Sequence, residues 1–239
     1  MMYMIINISE VVMESILITE NLSRTFLQGE REIHAVHNVS LEFESEKFYA
    51  ITGPSGCGKT TLLHLLGALD QPTHGDVKYN GNYMYKSMSE NMRADLRLNN
   101  IGFIFQNYNL ISVMTAYENI ITPCLASGKA VDQKYLSELC KKLGINDRLN
   151  HIPSELSGGE QQRVATARAL IMHPSIILAD EPTGNLDKDS AVNLLDLIFT
   201  LQLQYKKTII MVTHDMNIAS RADIHIKMDA GQIVSVDGR

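Results

Sequence analysis

Two segments of the chain decide its fold: SELSGGEQQR at 154–163 and IILADEPTGNLD at 176–187. In the first, Ser157 with Glu160 three residues later forms a capping-box pattern, which satisfies backbone N–H groups at a helix start. The two glycines between them disfavour helix by about 1 kcal/mol each relative to alanine. Their N–H groups are, however, open to an anion at the positive end of a helix dipole. The segment predicts a capped helix, and the glycines favour one that also binds a phosphate.

The second segment predicts a catalytic strand end. Residues 175–179 are apolar and follow Pro174, a pattern typical of a buried parallel strand. Asp180 and Glu181 come at its carboxyl end, where open α/β sheets bind their ligands. Adjacent carboxylates after an apolar strand cost free energy unless something uses them. Asp180 suits Mg²⁺, with a turn or helix cap as the alternative, and Glu181 suits polarising an attacking water.

A phosphate-binding loop lies upstream. GPSGCGKT at 53–60 matches G-x-x-x-x-G-K-[ST], with an apolar strand before it and a helical pattern after it. Lys59 is expected to reach the β- and γ-phosphates, and the Thr60 hydroxyl suits Mg²⁺. Cys57 is either a thiol whose alkylation blocks the site or a small space-filling residue. The predicted phosphate-contacting residues are Gly53, Pro54, Ser55, Gly56, Cys57, Gly58, Lys59, Thr60 and Thr61.

Three further residues are candidates for the same site. Gln106 directly follows the apolar strand 101–105 and is either a strand-end cap or a ligand contact. His214 follows the apolar strand 208–212, where a histidine can hydrogen-bond a γ-phosphate, although most single histidines are structural. Phe26 is expected between the first two strands and is either a core residue or an aromatic platform.

Periodicity predicts the remaining elements. Residues 35–44 alternate apolar and polar side chains, as a half-buried antiparallel strand does. The other predicted strands are 16–19, 47–52, 75–79, 224–228 and 232–236. The predicted helices are 89–98, 115–126, 131–143, 157–172 and 190–204, with Asp215 as a helix N-cap.

Composition limits the function classes. The chain has 239 residues with a net charge of −6, which argues against a nucleic-acid-binding surface. Its three cysteines have no metal or disulfide spacing. No run reaches the roughly 18 apolar residues that span a bilayer. Residues 1–12 fit no pattern. We expect natural translation to start at Met13, with the first twelve residues either a wrongly assigned start or a loose extension.

Taken in order, these motifs resemble those of ATP-binding cassette (ABC) ATPases, especially the group of macrolide export, lipoprotein release and antimicrobial-peptide resistance. The resemblance implies that Phe26 stacks on adenine and that Gln106 contacts Mg²⁺ and the attacking water. It implies that His214 is the switch histidine and that the loop at 185–187, including Asp187, contacts the partner subunit, with a turn and helix N-cap as the alternative for that loop. The residues implied to reach the partner's ATP are Ser157, Gly158, Gly159 and Glu160. Phe26 for tyrosine and Glu160 for glutamine are mild departures.

The resemblance also implies the architecture and the partners. We expect an α/β P-loop NTPase with a mixed sheet core, an antiparallel β subdomain and an inserted α-helical subdomain. A single domain would cover 13–239, with the core and β subdomain at 13–106 and 173–239 and the helical subdomain at 107–172. The implied protein hydrolyses ATP with Mg²⁺ as a homodimer or with a paired ABC subunit. It would drive a separate permease at the cytoplasmic face of the membrane and bind no nucleic acid.

The alternative is a soluble ABC ATPase acting on DNA or ribosomes. Members of that class that act on chromosomes carry a long coiled-coil insert, and translation factors usually carry two cassettes. This chain shows one cassette, no such insert and an acidic balance. The sequence therefore favours the transporter subunit, without naming its cargo.

Overall fold

A computed structural model describes residues 15–238, so the predictions for residues 1–12 and Met13 lie outside the described part of the chain. The strands are β1 (Ser15–Gln28), β2 (Arg31–Glu44), β3 (Phe48–Thr52), β4 (His74–Tyr79), β5 (Asn82–Tyr83), β6 (Ile101–Ile104), β7 (Ile176–Asp180), β8 (Thr208–Val212), β9 (Ile224–Asp229) and β10 (Gln232–Gly238). The helices are α1 (Lys59–Leu66), α2 (Met84–Ser87), α3 (Glu90–Asn100), α4 (Ala116–Ser127), α5 (Gln133–Leu143), α6 (Gly158–Leu170), α7 (Lys188–Tyr205) and α8 (Met216–Ala219).

The central sheet is mixed and has the order β10-β9-β3-β8-β7-β6. Strands β9, β3, β8, β7 and β6 run parallel, and β10 closes the edge as an antiparallel hairpin. All five residues of β3 and of β8 are buried, which explains their continuous apolar sequences. Their side chains alternate between two hydrophobic cores, one on each face of the sheet. The fold class predicted from the sequence is confirmed.

The second sheet is antiparallel, with the order β2-β1-β4-β5. Its inward residues on β2 are Val39, Leu41 and Phe43, at 1%, 9% and 0% exposure, as the alternating pattern predicts. They join the core on one face of the central sheet, together with α1. This sheet therefore packs in the same core as Cys57 of the phosphate loop. Helices α4, α5 and α6 pack into the core on the opposite face of the central sheet.

Helix starts follow the sequence closely. Ser157 caps α6, its side chain accepting from the Glu160 N–H while the Glu160 carboxylate accepts from the Ser157 N–H. Thr115 and Glu118 form the same arrangement at α4. Asp215 caps α8, as predicted. The division into subdomains at residues 106/107 and 172/173 stays a prediction.

The structure corrects the position of Phe26. The sequence places it between the first two strands, but it lies inside β1 and pairs with Ile33 of β2. The error arises because β1 continues beyond Thr19 through a bulge at Asn21, whose φ is 47°. The hairpin then turns at Gly29 and Glu30, well beyond the predicted strand end.

Smaller differences concern short elements. Helices α2 and α8 and strand β5 have four residues or fewer, too few to show a period in the sequence. Helix α6 ends at Leu170 rather than Met172, and α7 begins at Lys188 rather than Ser190. Within residues 15–238, no helix is both long enough and apolar enough to cross a membrane.

Candidate nucleotide-binding site

The candidate site lies at the carboxyl ends of the parallel strands, where an α/β sheet presents its ligands. Strand β3 leads into the phosphate loop, β6 into Gln106, β7 into Asp180 and Glu181, and β8 into His214. A cleft of about 460 Å³ opens between these ends. It is lined by Ala35, Ser55, Gly56, Gly58, Lys59, Thr60, Thr61, Gln106 and Glu181.

The phosphate loop is built around close backbone approaches. Gly53 and Gly58 have φ values of 156° and 104°, and an added Cβ would lie 2.0 Å and 1.8 Å from backbone oxygens of Met228 and Ala35. No side chain larger than hydrogen fits at either position. The glycines are therefore required by the path of the loop as well as by exposure of its N–H groups.

Lys59 is only 7% exposed, and its ammonium donates to the carbonyl oxygens of Gly53 and Pro54 at 2.8 and 2.9 Å. The loop thus holds its own lysine at the edge of the cleft. Cys57 is 4% exposed, and its Sγ would lie 2.8 Å from a Cβ added at Gly53. Between the two interpretations of Cys57, this packing favours the space-filling residue.

Two side-chain oxygen atoms that could bind a metal lie close together at the end of β7. The Thr60 hydroxyl lies 3.1 Å from a carboxylate oxygen of Asp180, to which it donates a hydrogen bond. Burial raises the pKa of Asp180 above its ordinary value, although the Thr60 hydrogen bond acts in the opposite direction. A hydroxyl and a carboxylate this close are hard oxygen ligands of the kind Mg²⁺ prefers.

Glu181 turns sharply away from Asp180. Its φ is 42°, and its N–H donates to the Val212 carbonyl at 3.0 Å. A left-handed backbone is uncommon for a residue other than glycine and costs free energy. The turn brings a carboxylate oxygen of Glu181 to 3.3 Å from Nδ1 of His214, which is otherwise largely exposed. Glu181 therefore lines the cleft, and His214 lies beside it but outside the cleft lining.

The Gln106 side chain packs against the turn that follows Glu181. A Cβ added at Gly184 would lie 2.8 Å from Gln106 Nε2, so a larger residue there would displace the end of the Gln106 side chain. Asn185, in the same turn, donates from its amide to the Gln106 carbonyl at 3.0 Å and to Asn107 Oδ1 at 3.1 Å. The resemblance places Asn185 in the same loop as Asp187, but these contacts could not be predicted because the partners lie nearly eighty residues away.

Some predicted site residues do not line the cleft. Phe26 is 39% exposed, and the Arg24 guanidinium lies 4.5 Å from its ring centroid. Asp187 accepts from the Ser190 N–H as the N-cap of α7. The start of α6 is also outside the cleft lining. One chain alone therefore combines the phosphate loop with Gln106 and Glu181, and not with the α6 glycines.

An unpredicted ion pair stands at the start of α6. Arg148 donates to the Glu160 carboxylate at 2.6 Å. This bond, together with the capping hydrogen bonds, lowers the pKa of Glu160 to about 2. The carboxylate near the two glycines is thus balanced by a guanidinium from the preceding connector.

Comparisons with known proteins agree with this geometry. A family model described as ABC transporter matches residues 36–184. The macrolide export ATP-binding/permease protein MacB of Mannheimia succiniciproducens is 45% identical over 90% of this chain, which spans 33% of that relative. The lipoprotein-releasing system ATP-binding protein LolD of Buchnera aphidicola is 42% identical over 89% of the chain and 93% of its own length.

A solved structure extends the likeness to three dimensions. The ATP-binding cassette MJ0796, in a dimeric post-hydrolysis state bound to ADP and Pi, superimposes with a TM-score of 0.86. It is 36% identical, and the match covers 93% of this chain and 98% of that one. The family model, the relatives and the fold therefore agree, and the chain belongs to the ABC transporter family as one of its ATP-binding, ATP-hydrolysing proteins.

Proposed function

We propose that two copies of this chain, or one copy and a paired ABC subunit, close head to tail around two ATP molecules and drive a separate membrane permease. The observation that carries the proposal is the incomplete cleft. The glycines at the start of α6 lie outside the cleft of their own chain, yet they present N–H groups at the positive end of a helix. A symmetric dimer would place each α6 start on the other chain's ATP.

Each cleft residue then has a role in the reaction. Lys59 neutralises the β- and γ-phosphates, and loop N–H groups bind the remaining oxygens. Glu181 polarises the attacking water, and His214 hydrogen-bonds the γ-phosphate. The left-handed turn at Glu181 holds its carboxylate beside His214 rather than beside Asp180, so the two carboxylates take separate tasks.

Thr60, Asp180 and Gln106 would hold Mg²⁺, and the proximity of the Thr60 hydroxyl to the Asp180 carboxylate fits that ion. When bound, Mg²⁺ neutralises charge on the phosphate oxygens. Burial raises the pKa of Asp180, because the charged carboxylate is partly removed from water. A cation at this position would remove that cost.

The adenine and the partner chain would use the remaining predicted residues. Phe26 keeps an exposed face in the antiparallel sheet, and Arg24 stacks over its ring, an arrangement suited to a nucleobase platform. Asp187 would contact the partner subunit from the start of α7. In the dimer, the α6 segment from Ser157 to Glu160 would approach the partner's γ-phosphate.

The permease would dock beside the Gln106 loop. An apolar groove of about 240 Å³ runs there between the sheet edge and the helices. It is lined by Arg97, Leu98, Ile101, Gly102, Phe103, Phe105, Asn109, Pro123, Arg168, Ala169 and Met172. A partner seated in this groove would touch both β6 and α6. The chain would then lie at the cytoplasmic face of the membrane through that partner.

The decisive test of the dimer is Glu181→Gln. The variant should bind ATP, lose about 100-fold or more of its turnover, and accumulate as an ATP-bound dimer in size-exclusion chromatography with light scattering. Glu138→Gln on α5, remote from the cleft, is the control and should behave as wild type. Turnover close to wild type in Glu181→Gln would refute the assignment of Glu181.

The permease is tested separately, by affinity purification from detergent-solubilised native membranes with mass spectrometry of the co-purifying proteins. A multi-span membrane protein is expected. Ribosomal or DNA-repair proteins, with nothing from the membrane, would leave the ATPase chemistry intact and overturn the transport function.

A further inference from the structure

The loop that follows Gln106 contains an unusual backbone. Tyr108 and Asn109 are successive non-glycine residues in the left-handed region, with φ values of 58° and 49°. Asparagine tolerates this region, but a bulky tyrosine rarely adopts it without support. A pair of such residues persists only when neighbouring contacts stabilise it.

Arg168 of helix α6 supplies that support. Its two terminal nitrogens donate to the carbonyl oxygens of Asn109 and Tyr108, at 2.6 and 2.7 Å. A planar guanidinium can hold two acceptors in fixed geometry, whereas a lysine ammonium acts as a point charge. The guanidinium thus fixes both carbonyls of the left-handed pair at once.

Arg168 also lines the groove proposed for the permease. Among residues 15–238 it forms no ion pair with a carboxylate, and desolvation lowers its pKa. Keeping a charged guanidinium partly out of water costs free energy unless its donors are satisfied. Here the backbone carbonyls of the Gln106 loop satisfy it, so the loop and the side chain stabilise each other.

The rest of the loop is held in the same way. The carbonyl of Phe105 accepts from the Gln162 amide of α6 at 3.3 Å, and that of Gln106 accepts from Asn185. The Tyr108 hydroxyl lies close to Gly158, the first residue of α6, since a Cβ added at Gly158 would be only 2.9 Å from the hydroxyl oxygen. The loop is therefore bound along its length to α6 and to the turn after Glu181.

We propose that Arg168 is a positioning residue of the ATPase reaction, which locks the turn at Tyr108 and Asn109 and thereby holds Gln106 at the cleft. Arg168 touches no substrate and acts through Gln106. Arg168 and Gly158 lie on the same helix. The Arg168 hydrogen bonds to the Gln106 loop therefore couple the position of this loop to that of the α6 start. The inference rests on the proposed role of Gln106.

The test is a double-mutant cycle on the full chain, measured as steady-state ATPase activity against ATP concentration. Arg168→Met should lower kcat by about tenfold while KM for ATP stays within about twofold, because a misplaced group costs rate while the phosphate loop still binds ATP. In a Gln106→Ala background, the same substitution should change kcat by less than about twofold, as expected for residues acting as one unit.

A rescue experiment separates backbone strain from general damage. Glycine adopts the left-handed region without cost. Adding Asn109→Gly to Arg168→Met should therefore raise kcat by at least about threefold over Arg168→Met alone. Arg221→Met is the control, since Arg221 pairs with Asp196 and lies over the Phe199 ring, and has no contact with the Gln106 loop among the described residues. If Arg168→Met fails to fold, Arg168→Lys is the substitute, because it keeps the positive charge but cannot hold two carbonyls in fixed geometry. The loss of kcat in Arg168→Lys should likewise be smaller in the Gln106→Ala background.

The outcomes distinguish the two proposals. Equal losses of kcat in the wild-type and Gln106→Ala backgrounds would show that Arg168 acts independently of Gln106 and overturn this inference. A wild-type kcat in Arg168→Met would do the same. An unchanged kcat in Gln106→Ala alone would instead remove the proposed role of Gln106, on which the inference depends.

Discussion

The ion pair between Glu160 and Arg148 gives the sharpest stability prediction. Glu160→Gln keeps a side chain that can complete the capping box, since glutamine serves at this position as well as glutamate. It removes the charge, however, and with it the 2.6 Å contact to Arg148. The substitution therefore isolates the electrostatic contribution of this carboxylate.

The magnitude follows from the pKa and the exposure. Lowering a carboxyl pKa from 4.5 to about 2 corresponds to at most about 3.4 kcal/mol of stability. The Arg148 side chain is 44% exposed, so water screens the pair, and about 1 kcal/mol is expected at pH 7. Because the pKa is lower in the folded state, this contribution is complete above pH 4.5 and disappears as the pH falls toward 2.

Urea denaturation of wild type and Glu160→Gln at pH 7 and pH 3 measures this directly. The free energy of unfolding should differ by about 1 kcal/mol at pH 7 and by less at pH 3, and high salt should reduce the difference. Glu155→Gln is the matched control, because Glu155 caps the preceding turn without an ion pair in the described structure. A difference that stays constant between pH 7 and pH 3 would refute the ion-pair explanation.

Two further predictions concern the cleft. Lys59→Ala should weaken ATP binding by about 100-fold in calorimetry, because its buried ammonium lies in the proposed phosphate loop, and undiminished affinity would contradict that role. Asp180→Asn should raise the free energy of unfolding of the nucleotide-free protein by about 1 kcal/mol at pH 7 while abolishing Mg²⁺-dependent turnover. Since burial raises the Asp180 pKa, the stability cost appears as the pH rises above 3.8, so the difference in unfolding free energy between wild type and Asp180→Asn should be larger at pH 7 than at pH 4.

The segments that form the cleft and the start of α6 could be predicted from the sequence, because each is marked by a short local pattern. The phosphate loop, the apolar run before Asp180 and the capping box at Ser157 each depend on residues within about ten positions of one another. Strand β3 and helix α6 lie where those patterns placed them. The roles assigned to the cleft residues stay predictions until the variants are measured.

The contacts that hold the loops could not be predicted, because they join residues distant in sequence. Arg168 and Asn109 are paired across about sixty positions, and nothing local to Arg168 marks it as more than a helical surface residue. The extension of β1 was missed for another reason. Its outer half is partly or fully exposed and places the apolar Phe26 and Leu27 side by side, so alternation stops although the backbone pairing with β2 continues.

The arrangement of the central sheet also sets how the chain must fold. Strand β3, in the interior of the sheet, pairs with β8, and Phe48 meets Ile209 across roughly 160 intervening residues, so closing this pair carries a large entropic cost. On the ribosome, β3 would emerge long before either of its neighbours, β8 and β9. The backbone N–H and C=O groups at its two edges would stay unpaired until the last quarter of the chain appeared. The strand that ends in the phosphate loop is therefore the one most exposed to aggregation during synthesis, and the loop acquires its shape only when the chain is nearly complete.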